Sequence, residues 1–120
     1  MLFLTNTRRY FLYRAPTDMR KSFDSLAGLV REELQQNPLS TDVFVFLNRS
    51  RTHIKLLCWE GDGFSLYYKR LEKGTYELPA DKQASGQHLI AYNQLLLMLQ
   101  GISLAKICYR KRYNQEVAYR

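Results

Sequence analysis

Apolar positions concentrate in three short runs in the middle of the chain, Val43 to Leu47, Ile54 to Trp59 and Phe64 to Tyr68. The basic turn Asn48-Arg49-Ser50-Arg51-Thr52-His53 separates the first two runs, and Glu60-Gly61-Asp62-Gly63 separates the last two. Short β-compatible runs joined by turn residues predict an antiparallel meander. Val43 to Leu47 is apolar at every position, so it is expected to be the best covered strand. The other two runs alternate and can lie nearer solvent.

Residues 8–14 read RRYFLYR, rich in strand-forming aromatics, and are expected to join the sheet as a fourth strand, with the arginines marking its ends. Between this run and the meander, Met19, Phe23, Leu26, Val30 and Leu34 recur at helical spacing. They form one stripe expected to cover a face of the sheet, with Phe23 and Val30 buried. Thr17 or Asp18 is the expected N-cap, and Asn37-Pro38 the stop. Beyond Leu71, residues 76–79 suggest a short edge strand ended by Pro79. Residues 91–100 predict a second helix with Leu95, Leu96 and Leu99 on one face and Gly101 as a left-handed cap. This helix either buries itself deeply or docks another chain.

The expected architecture is α+β: an antiparallel sheet of four or five strands covered by an amphipathic helix, with a second C-terminal helix and a basic tail. Residues 1–79 form the expected core domain, 80–90 a polar linker, 91–105 the second helix with its cap and 106–120 the tail.

Composition sharpens the functional picture. With 120 residues and 46% hydrophobic positions the chain is a folded globule. Its formal charge of +7 and pI near 9.6 predict attraction to polyanions. Residues 81–120 hold six of the 18 basic residues but two of the 11 acidic ones, so the tail is the strongest charge run. The cations placed to meet nucleic acid are Arg20 and Lys21 at the first helix, Arg49 and Arg51 on the basic turn, Lys55, Lys69 and Arg70 on the strands, and Lys106, Arg110, Lys111 and Arg112 in the tail. Trp59, Tyr67 and Tyr68 interleave with three of these cations. Such rings either stack bases or pack under a helix, and the second arrangement is favoured here.

Catalytic and metal chemistry find little support in the pattern. Cys58 and Cys108 stand far apart without paired spacing, which excludes a zinc knuckle and suits reduced thiols. His53 has no nucleophile or acid placed near it by sequence, and Gly61-Asp62-Gly63 lacks the lysine and following helix of a phosphate loop. No cofactor is expected. The apolar start of the chain is too short for a signal peptide and no stretch is long enough to cross a bilayer, so a cytoplasmic protein without a membrane partner is expected.

Three segments carry a resemblance: YRAPTDMRKSFDSL at 13–26, NPLSTDVFVFLNR at 37–49, and YKRLEKG at 68–74, with Ile54-Lys55-Leu56-Leu57, Trp59 and Gly63-Phe64 between them. Together they resemble the small TnpB accessory protein encoded by the second reading frame of insertion sequence 66-type transposable elements, which is unrelated to the RNA-guided nuclease of the same name. The resemblance runs from about residue 8 to 78 and resumes at Gln94-Leu95-Leu96, Leu99 and Gly101-Ile102. Thr41 stands where the family usually has glycine, and Ala91 where a small hydroxyl residue commonly caps the helix. The resemblance implies a non-catalytic accessory protein of bacterial transposition, made beside a separate transposase, with DNA and that transposase as expected partners. The alternative it leaves is an adaptor that holds the transposase and has only generic DNA affinity.

Overall fold

The computed structural model describes residues 4–80 and 88–101. Five strands, β1 (Tyr10–Tyr13), β2 (Val43–Leu47), β3 (His53–Trp59), β4 (Phe64–Arg70) and β5 (Leu89–Ile90), form one sheet in the order β4-β3-β2-β1-β5. The meander β2-β3-β4 is antiparallel, as its turns require. The expectation of an antiparallel sheet throughout is corrected at one pair: β1 runs parallel to β2, Tyr10 opposite Val43 and Tyr13 opposite Phe46. The long excursion through residues 14–42 supplies the crossover that a parallel pair needs.

Both faces of the sheet are covered, so the strands at its centre are apolar on both sides. Helix α1 (Phe23–Glu32) lays Leu26, Ala27 and Val30 on Phe11, Phe44, Phe46 and Leu57. Helix α2 (Tyr92–Gln100) puts Leu95 and Met98 on the opposite face, among Tyr10, Leu12, Val45, Leu56 and Cys58. This explains why β1 has no polar face: Phe11 serves one layer, Tyr10 and Leu12 the other.

α1 is shorter than its stripe predicts. Thr17 is already committed, its N–H donating to Leu47 O at 2.8 Å, and the Asp18 carboxylate accepts from the Arg20 N–H at 2.9 Å. Ser22 is therefore the N-cap, with its N–H bonded to Ser25 Oγ at 3.0 Å. Phe23 becomes the first helical residue and stays 43% exposed, against the expectation that it is buried. At the other end Gln36 N–H reaches Val30 O and Gln35 adopts a left-handed φ of 53°, which ends the helix before Asn37-Pro38.

Residues 76–79 form no strand. Tyr76 is instead buried on the α2 face, its N–H donating to Arg51 O at 2.7 Å. The fifth strand is supplied by Leu89 and Ile90, and His88 O accepts from Leu12 N–H. Gly101 ends α2 with φ of 75°, and Gln94 Oε1 accepts from Ala91 N–H where a hydroxyl residue commonly caps. Residues 81–87 of the expected linker and the whole of the expected tail lie outside the described residues.

Candidate nucleic-acid interface

Strand direction decides where the cations go. Because β1 and β2 are parallel, the residues that follow them, Arg14 and Asn48-Arg49, emerge at the same end of the sheet. β3 starts at that end with His53, and β4 finishes there with Arg70. The loop bearing Asp18, Arg20 and Lys21 shares a depression with Asn48, Arg49, Ser50 and His53. The opposite end carries the Arg9–Asp42 ion pair at 2.8 Å and the acidic turn Glu60-Gly61-Asp62. The sheet thus has a basic pole.

At the centre of this pole the β2–β3 turn is locked by Asn48. Its Oδ1 accepts from the N–H groups of Thr52 at 2.9 Å and His53 at 3.0 Å. Two backbone donors fix the amide orientation and aim Nδ2 at Ser50 Oγ, Thr52 Oγ1 and His53 Nδ1, all within 3.2 Å. Arg51 N–H donates to Asn48 O, and Arg51 takes a left-handed φ of 57°. Arg49 and Arg51 are exposed, and among the described residues neither is in an ion pair. Their charges face water on a fixed tip.

Arg20 and Lys55 prove different from the tip arginines. Arg20 is 91% exposed at its side chain but forks onto Asp18, with Nη2 to Oδ2 at 2.6 Å. The hydrogen bonds from the Arg20 side chain, and then from its backbone N–H, hold the Asp18 carboxyl at about 2, and the pair is close to neutral. Lys55 is only 5% exposed. Its Nζ donates to Met19 O at 2.8 Å and Lys21 O at 2.6 Å and lies 4.5 Å from the Tyr68 ring centroid. Desolvation pushes this ammonium below the usual lysine value, with Asp18 opposing. Lys55 therefore clamps the 19–21 loop to the sheet and presents no charge to a partner. The sequence assigned it to nucleic acid; burial assigns it to structure.

Lys69 and Arg70 are exposed on β4, an edge strand, and Arg70 Nε donates to Glu72 at 2.9 Å. Tyr67 and Tyr68 are 42% and 51% exposed, so they do not pack under a helix as expected; on the α1 face the helix layer reaches Phe64 and Leu66 but not Tyr68, and Tyr67 lies on the other face of β4. Trp59 is half-buried against Phe64. Lys106, Arg110, Lys111 and Arg112 lie outside the described residues. Sequence reading missed Arg14, taken only as a strand end. It lines a cleft with Arg49 and Arg51, and the only signal for it was the pairing direction of β1.

The described residues thus present a fixed cationic pole on a small three-layer scaffold. The chain belongs to the IS66 Orf2-like family, matching it over residues 8–109. It is thus a non-catalytic accessory protein associated with IS66-type insertion sequences. It is 38% identical over 94 residues to the uncharacterized protein y4hO of Sinorhizobium fredii, covering 78% of this chain and 80% of that one. A second protein of the same organism, y4jC, is 26% identical over 99 residues, covering 82% and 83%. No solved structure matches the chain. Among the described residues, no helix is long and apolar enough to cross a membrane, and no group of three His, Cys, Asp or Glu side chains converges to hold a metal ion.

Proposed function

We propose that this accessory protein assists transposition by engaging the DNA of its element, alone or in complex with the transposase, through the basic pole. Arg49 and Arg51 make the central contact, Lys21, Lys69 and Arg70 flank it, and Lys106, Arg110, Lys111 and Arg112 form a tail that adds affinity without base choice. This happens in the cytoplasm, where the element's DNA lies. The observation that carries the reading is the tip: two guanidiniums that have no carboxylate partner among the described residues, on a turn locked by Asn48.

The test is the double variant Arg49→Ala, Arg51→Ala. Transposition frequency is measured beside binding to element-end DNA, unrelated DNA and purified transposase. The variant stays folded, loses affinity for both DNAs by similar factors, and its log K against log salt slope is shallower by about 2. The gap from wild type then narrows by roughly tenfold between about 50 and about 200 mM salt.

Tyr67 and Tyr68 on the unpaired edge of β4 support a second reading, an adaptor that holds the transposase. Normal DNA binding by the double variant together with lost transposase binding moves the adaptor ahead.

A further inference from the structure

One cleft at the basic pole is lined by three guanidiniums and, among the described residues, no carboxylate. Arg14, Arg49 and Arg51 surround a space of about 210 Å³, walled by Pro16, Leu47 and Leu78. Pockets for organic ligands start near 300 Å³, so this one suits a small group. Arg14 is anchored, its Nη1 donating to Pro79 O at 2.7 Å, while its Nε–H is buried with no acceptor among the described residues. A buried donor left without a partner is uncommon in folded proteins. Arg51 is held at a left-handed φ of 57°, where glycine would be less strained. Guanidinium forks match the oxygens of phosphate in geometry as well as charge.

We propose that this cleft is a phosphate-binding site and that its occupant is one backbone phosphate of nucleic acid. The inference rests on the DNA reading above and adds Arg14 as the residue that turns a charged tip into a defined seat. With the phosphate in place, the mutual repulsion of the three cations is relieved.

The experiment follows the Arg14 Nε–H resonance of the full chain, labelled at arginine, during titration with a short random-sequence duplex and, separately, with inorganic phosphate. The signal shifts with both ligands, the duplex acting at much lower concentration. In parallel, Arg14→Gln lowers duplex affinity and makes the salt slope shallower by about 1, whereas Arg14→Lys keeps the slope but weakens binding several-fold because it lacks the fork. If the duplex binds while the Arg14 signal stays still and both variants bind like wild type, the cleft is not the seat, and the DNA reading stands on the rest of the pole. If phosphate moves the signal and a bound duplex does not, the nucleic-acid occupant is wrong. If wild type binds no duplex at any salt, the DNA reading itself fails.

Discussion

Lys55 shows how far a single residue can be read before its surroundings are known. Alternation along 54–59 places it correctly on the face of Leu57 and Trp59, but nothing in the spacing reveals that the 19–21 loop folds over that face. Two charge-assisted bonds to carbonyls are its role, and their loss leaves Met19 O and Lys21 O without their donor. Lys55→Ala is expected to destabilise the fold by about 2–3 kcal/mol in urea unfolding, whereas Arg49→Ala leaves the midpoint nearly unchanged. Asp18, in the same loop, gives a pH signature. Its carboxyl is held at about 2 in the folded chain, first by the side chain and then by the backbone N–H of Arg20, against an ordinary 3.8. A depressed acid stabilises the fold fully above its ordinary value, and this contribution is lost as pH falls from about 3.8 to about 2. Thermal melts of Asp18→Asn should therefore fall below wild type near neutrality and approach it across that window.

At the scale of elements, β1 to β4 and α2 were legible because their signals are local, whereas two-residue β5 lies in the polar stretch read as a linker and residues 76–79, read as a strand, form none. The apolar runs and their turns placed β2, β3 and β4 to within two residues at either end, and Gly101 marked the end of α2. α1 was legible as a stripe but not in its ends: Met19 and Leu34 keep helical spacing while lying outside the helix, the first because Asp18 closes a turn with Arg20, the second because the chain unwinds at Gln35. The energetic weight of the stripe sits accordingly in its middle. Leu26→Ala removes a fully buried side chain from the α1 layer and should cost about 2–5 kcal/mol, while Phe23→Ala, at an exposed first position, should cost about 1 kcal/mol or less. Equal losses for the two in denaturant melts would mean that the helix enters the sheet one turn earlier.

For the whole molecule, the basic pole depends on one long-range fact, the parallel pairing of β1 with β2. An antiparallel partner would have carried Arg14 to the end occupied by Asp42 and Glu60, and the Arg14–Arg49–Arg51 cleft would not exist. Composition showed the excess of positive charge, and the turn showed Arg49 and Arg51 together; their assembly with Arg14 was not written in any local pattern. The same pairing governs how the protein comes off the ribosome. Tyr10–Tyr13 is made before either of its neighbours, Val43–Leu47 on one side and Leu89–Ile90 on the other, and both its faces are apolar. Chains stalled with residue 80 outside the tunnel should be cut by protease near β1, and chains stalled past residue 101 should resist. Among the described strands β1 is translated first, yet its Tyr10 and Leu12 face stays bare until α2 has been synthesised.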